Sequence, residues 1–159
     1  MAAEGLDETD LGILHLLQKD ARNNTPVDIA RELPVSDQTV RNRIQKMERM
    51  GVLEGYVPVI NYRNAGFSIR LEFCCTAPIQ RREELAQAAL ELPHVVRVEE
   101  MLSAHENVRV LAVSNDSDEI HQIATEIDEL GLTIVSERLR RCAYVQPFNH
   151  FGKGVVSDE

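Results

Sequence analysis

The amino-acid sequence predicts an α+β protein in two parts: a helix-turn-helix domain, then a ferredoxin-like β-α-β-β-α-β domain. Three observations carry this. Apolar residues recur at helical spacing through residues 7–50. Beyond residue 67 the pattern changes to alternation, interrupted by two helical stretches. Only Pro34 and Val35 separate the second helix from the cap of the third, the tight turn that a helix-turn-helix needs. The expected domains are therefore 1–51, helix-turn-helix; 52–66, an extended connector; 67–152, the ferredoxin-like domain; and 153–159, a tail.

In "LDETDLGILHLLQKDAR", Asp7 is the expected cap, and Leu11, Ile13, Leu14 and Leu17 form the inner stripe. The second helix starts at "TPVD", with Thr25 as cap, Pro26 in the first turn and Asp28 near the exposed amides. Ile29, Ala30 and Leu33 face inward, and Pro34 ends it. Ser36 caps the third helix, Val40, Ile44 and Met47 share one face, and Gly51 closes it. The connector "VLEGYVPVINYRNAGF" reads as extended, with a turn at residues 64–66.

The second half opens with "SIRLEFCCT". Ile69, Leu71, Phe73 and Cys75 face one way, and Arg70, Glu72, Cys74 and Thr76 the other. A helix follows with Leu85, Ala89 and Leu92 inward, then extended runs at 94–102 and 107–114. The next helix carries Ile120, Ile123, Ile127 and Leu130 on one stripe, and a long strand over 132–148 closes the domain. Both helices cover one sheet face; the other face, with Leu111 and Val113, invites pairing with a second copy.

Composition narrows the function. No apolar run approaches the roughly 18 residues of a membrane span, and "MAAEGLDETDLG" has no signal-peptide pattern, so a soluble, cytoplasmic protein is expected. The net charge is -9, from 26 Asp+Glu against 17 Lys+Arg. Only Lys19, Lys46 and Lys153 are lysine. Acid excess with scarce lysine points to a halophilic, salt-adapted protein, against ordinary scatter in composition. Cys74, Cys75 and Cys142 show no metal-binding spacing and read as plain thiols. No P-loop, nucleophile elbow, H-E-x-x-H or dinucleotide fingerprint occurs, so no catalytic residue, metal site or cofactor is expected.

Against that acidity, residues 36–50 collect Arg41, Arg43, Lys46 and Arg49, with only Asp37 and Glu48 opposed. Stepping 100° per residue from Val40 puts Gln38, Asn42, Gln45 and Arg49 opposite the buried side. Arg41 falls on one flank and Thr39 and Lys46 on the other. Amides pair with adenine and arginine with guanine in the major groove, while cations and hydroxyls such as Ser36 and Thr39 suit phosphate. Double-stranded DNA is the expected partner, contacted by Ser36, Gln38, Thr39, Arg41, Asn42, Arg43, Gln45 and Lys46. Arg43 lies nearer the buried edge and either touches phosphate or braces the fold. Asp37 runs against the pattern, as a helix-start stabiliser or an acceptor for cytosine.

These residues resemble a known family. "LDETDLGILHLLQKDARNN", the S-x-x-T-V-R-x-R-I run and the closing G-V-x-x-G-Y look like the DNA-binding domain of the Lrp/AsnC (leucine-responsive/asparagine-responsive) transcriptional regulators, and residues 5–152 follow that layout. The resemblance implies a winged helix-turn-helix, promoter binding, and a sensing and oligomerisation domain that forms homodimers and then tetramers or octamers. It also implies an amino-acid effector bound near the turn joining the second and third strands. That turn commonly reads G-x-[YF]-D; here it reads Ala104-His105-Glu106-Asn107, lacking the glycine, the aromatic and the aspartate. With Ser136 these residues are the effector-site candidates, and the effector is either an uncommon one or none. The cysteine-rich metal-sensing extension of some relatives is missing from "FNHFGKGVVSDE".

Two rivals follow from the same layout. Siroheme decarboxylases resemble it and use a histidine near that turn, which makes His105 their test residue. A sensing or assembly protein without DNA binding is the other, motivated by Asp37 and the overall acidity.

Overall fold

The computed structural model describes residues 5–152, so the expected tail at 153–159 lies outside the described residues. The chain divides into two units, residues 5–58 with 144–152, and residues 59–143.

The first unit contains α1 (Glu8–Asp20), α2 (Pro26–Glu32) and α3 (Asp37–Arg49). Each starts where a side-chain oxygen takes an orphaned amide. Asp7 accepts from the Asp10 N–H at 3.0 Å and Asp10 accepts in return from the Asp7 N–H at 3.2 Å, a reciprocal capping box. Thr25 and Asp28 repeat the device on α2, and Ser36 accepts from the Thr39 N–H at 3.1 Å on α3. Gly51, at φ 67, turns the chain out of α3; the Val52 N–H then bonds back to the Met47 carbonyl at 2.9 Å. Ile13, Leu14, Leu16, Leu17, Ile29, Leu33, Val40 and Met47 form the core, with Ile44 and Leu53 at its margin. No strand follows α3 before residue 69 among the described residues, so what stands in the wing's place is an open segment. Val57 and Val59 there are 87% and 88% exposed.

A late segment completes this unit. The short helix α6, residues Asn149–Gly152, packs on α1. The Phe148 N–H donates to Gln18 Oε1 at 3.1 Å, and Phe151 packs at the margin of the core. Gly152 lies so close to the His15 ring that a Cβ would fall 2.7 Å from it. This corrects two expectations. The last strand does not run to 148, and residues 144–152 join the helical unit, so the second domain stops at 143. The physical reason is pairing: the neighbouring strand starts at Ile69, and the Arg140 N–H already bonds to the Arg70 carbonyl at 2.8 Å, so the chain beyond has no partner left.

The second unit is a four-stranded antiparallel sheet in the order β2-β3-β1-β4, from β1 (Ile69–Thr76), β2 (Val95–Glu100), β3 (Val108–Ser114) and β4 (Thr133–Leu139). The crossings α4 (Arg82–Leu90) and α5 (Ser117–Glu129) pack on one face, α4 over β2 and β3, α5 over β3 and β4. Phe73, Cys75, Leu85, Ala89, Val110, Ile123 and Ile127 are among the residues that fill the layer between. The β1–β4 register shifts between Cys74 and Cys75, which skips Val135 and makes a bulge. Ser136 therefore lies opposite Cys74, and Arg138 opposite Glu72, on the face away from the helices. That face carries Leu111 and Val113, as alternation places them. Leu111 and Val113 are only 9% and 5% exposed, and Glu72, itself buried, is held by the Arg140 guanidinium.

Candidate nucleic-acid interface and effector cleft

The outward side of α3 is built as its period dictates. Val40 and Met47 are fully buried, while Gln38, Arg41, Asn42, Gln45 and Arg49 are exposed. The amides are tied together in advance: Gln38 Nε2 donates to Asn42 Oδ1 at 3.0 Å, one turn along. Ser36 and Thr39 share a hydroxyl hydrogen bond of 2.9 Å at the start of the helix. Asp37, in the first turn, sits 3.7 Å from the Arg41 guanidinium.

Two predicted contact residues point elsewhere. Arg43 Nη1 donates to Asp7 Oδ2 at 2.6 Å and to Asp10 Oδ2 at 3.2 Å. Lys46 Nζ lies 3.5 Å from Asp10 and donates to the Gly5 carbonyl at 2.7 Å. Of the two alternatives for Arg43, it braces the fold. Asp10 is fully buried, and its carboxylate is the shared acceptor of the α1 capping amide and both cations. A buried charge persists only when paired in this way. The Arg43 guanidinium is held above its ordinary value, first by its bond to Asp7. The Asp7 carboxyl is held below its own, first by the Asp10 amide and further by Arg43.

In the second unit the candidate effector residues separate. Ala104 and His105 are exposed on the β2–β3 turn. Glu106 is half-buried and seated: Ser136 Oγ lies 3.0 Å from Oε1, and Arg138 Nη2 reaches both oxygens at 3.2 and 3.0 Å. Asn107 is turned inward at 2% exposure. Its Oδ1 accepts from the Ala77 N–H at 2.7 Å and its Nδ2 donates to the Ala77 carbonyl at 2.8 Å. Asn107 therefore fixes the turn, with its side-chain amide bonded on both sides to the Ala77 backbone. The structure brings Glu106 and Ser136 together, and adds Arg138, which sequence reasoning missed. Its signal was available: two places from Ser136 on a strand, Arg138 shares its face.

A capped helix, second after a tight turn and offering amides and a guanidinium outward, defines a DNA-binding protein of the helix-turn-helix class. Residues 6–54 match the winged helix-turn-helix DNA-binding family. The HTH-type transcriptional regulator LrpA of Pyrococcus abyssi is 32% identical over 145 residues, 85% of this chain and 99% of its own. The chain belongs to the Lrp/AsnC family of transcriptional regulators. The fold agrees with solved structures. The leucine response regulatory protein LrpA of Mycobacterium tuberculosis superposes with a TM-score of 0.74 at 20% identity, over 89% of this chain and 96% of that one. A Neisseria meningitidis transcriptional regulator solved as its L-Met complex gives 0.71 at 17%, over 90% and 94%.

Proposed function

We propose that this regulator reads promoter DNA in a sequence-specific way through Gln38, Arg41, Asn42 and Gln45, as a homodimer or a tetramer or octamer built from it, under the control of a small amino acid. One observation carries the reading. The side of α3 opposite Val40 and Met47 is exposed and holds amides and a guanidinium, the groups that recognise adenine and guanine edges. Several such helices on one DNA would multiply the specific contacts that each makes alone.

For the effector, Ser136, Arg138 and Glu106 are the relevant groups. An amino acid's carboxylate entering beside the β2–β3 turn has to contend with Glu106 for the Arg138 fork. Its binding would act by favouring one assembly over another. The N. meningitidis neighbour, with L-Met bound, supports an amino acid as the chemical class.

The test is DNA binding to the promoter of the protein's own gene, by gel shift at several salt concentrations, beside light scattering. Arg41→Ala or Asn42→Ala is expected to weaken specific binding by about 1–3 kcal/mol and to leave the oligomer unchanged. Loss of assembly in either variant, or no sequence preference even at low salt, overturns the assignment. The chain is proposed to act without catalysis, and siroheme turnover that disappears in His105→Ala would refute that.

A further inference from the structure

The four cations of α3 stand out in the sequence, yet in the fold three of them are already engaged by carboxylates. Arg43 is held by Asp7 and Asp10, Lys46 by Asp10, and Arg41 by Asp37. Arg49 is the one cation of α3 without an ion pair among the described residues. Beside Arg49, the outward groups left uncommitted to carboxylates are the amides of Gln38, Asn42 and Gln45.

This division matters because two kinds of contact do different work on DNA. Phosphate neutralisation by Lys and Arg supplies essentially all non-specific affinity, through release of counterions. Base edges are read by groove-facing donors and acceptors, which need carry no charge. The helix thus keeps its base-reading amides outward and free of charge partners, while three of its four cations, the outward Arg41 among them, are countered by carboxylates. Asp37 has the most direct position. It is the first residue of α3, next to the Ser36 cap, with its side chain 50% exposed. A helix start is where free amides and the positive end of the dipole otherwise attract phosphate. A carboxylate there opposes that attraction and holds the nearest guanidinium.

We infer that Asp7, Asp10 and Asp37 form a built-in brake on non-specific DNA binding, and that Asp37, by holding Arg41, is a specificity-determining residue. The inference rests on α3 being the DNA-reading helix. Asp7 and Asp10 also hold the first unit together, so Asp37 is the residue at which the brake is separable from the fold. On bulk DNA, where cations supply the affinity, the brake removes a larger share of the binding than on a target, where the amides add contacts that Asp37 does not touch. It also makes binding less sensitive to salt, since fewer counterions are released.

The experiment uses the full chain and a labelled duplex of about 30 base pairs in scrambled sequence, with binding followed by anisotropy between roughly 50 and 300 mM KCl. Asp37→Asn is expected to tighten binding to this duplex by roughly tenfold near 0.1 M salt, and to steepen the slope of log K against log salt by about 0.9 per engaged helix. Glu129→Gln, the same charge change on α5 of the second unit, is expected to do neither. In an Arg41→Gln background, adding Asp37→Asn is expected to change the slope by clearly less than in wild type, because only the helix-start repulsion remains to be relieved. Asp37→Ser serves as the second variant should Asp37→Asn alter the far-ultraviolet circular dichroism. The brake is refuted if wild type binds and Asp37→Asn matches it in affinity and slope. An equal effect from Glu129→Gln, or a full effect surviving without Arg41, refutes it too. Absence of binding by both wild type and Asp37→Asn at the lowest salt sinks the assignment of α3 as well.

Discussion

Arg43 and Asp7 are joined by a 2.6 Å ion pair across a separation of 36 positions, fastening the third helix to the cap of the first. The same Arg43 nitrogen lies 3.2 Å from the fully buried Asp10. The positive helix of this acidic protein therefore has an exposed side, proposed to face DNA, and a side that serves as a structural clamp.

The two roles should come apart by mutation. Arg43→Ala leaves Asp10 with Lys46 alone against its buried charge, and is expected to destabilise the first unit by about 2–3 kcal/mol. Arg41→Ala, at an exposed pair, is expected to change stability by less than about 0.5 kcal/mol. Urea unfolding of both variants, beside their DNA affinities, checks the contrast. Equal stability losses would mean that the clamp is not at Arg43.

Asn107 holds Ala77 by two hydrogen bonds, 2.7 and 2.8 Å, in a place without exposure to water. Asn107→Ala leaves a buried backbone donor and acceptor unpaired, which is expected to lower stability by about 3 kcal/mol. His105→Ala, on the exposed part of the same turn, is expected to lie within about 0.5 kcal/mol of wild type. Thermal melts of the two variants distinguish a clamp from an ordinary turn.

Acid should loosen the first unit in a defined window. Asp7 is held below its ordinary 3.8 chiefly by the Asp10 amide, Asp20 by the Asn23 side chain, and Asp28 by the Thr25 hydroxyl. With the folded value depressed, the unfolded chain binds protons more readily. The stability from these carboxylates is therefore present above about pH 3.8 and lost as pH falls through the lower folded values. Melting temperature against pH should be flat between about pH 7 and 5 and drop below 4, and Asp7→Asn should shrink the drop. A variant with an undiminished drop would remove Asp7 from the account.

The thiols should differ in reactivity. Cys142 is exposed, while Cys74 and Cys75 are fully buried. Burial, and secondarily Cys74, pushes the Cys75 thiol up to about 12, so it carries almost no thiolate near neutrality. Ellman's reagent at pH 8 is expected to titrate one thiol in the native protein and all three in denaturant. Rapid native reaction of more than one would show that the β1 face opens.

The legibility of this chain follows the range of its interactions. The exposed and buried sides of α3 were readable because helical period is local: Val40 and Met47 inward, Gln38, Asn42 and Gln45 outward. The ferredoxin-like order was readable for the same reason, strand by strand. What stayed hidden depends on residues far apart in the chain. Nothing near Lys46 says that Asp10 takes its charge, and nothing near Asn107 says that Ala77, thirty positions back, takes its amide. The end of β4 is not legible locally, because its pairing stops where β1 runs out, a property of the partner strand. Residues 144–152 are apolar enough to belong to either core, and only the tertiary fold assigns them to the helices.

That assignment has a bearing on how the protein is made. Phe148, Phe151 and Gly152 settle on α1 at Gln18 and His15, yet the ribosome adds them only after the entire sheet has been synthesised. Domains ordinarily fold in the order in which they emerge, but here the DNA-reading unit stays unfinished, one flank of its first helix bare, until the sheet that follows it is complete. A nascent chain stalled before residue 144 would carry all three helices and still lack their final cover.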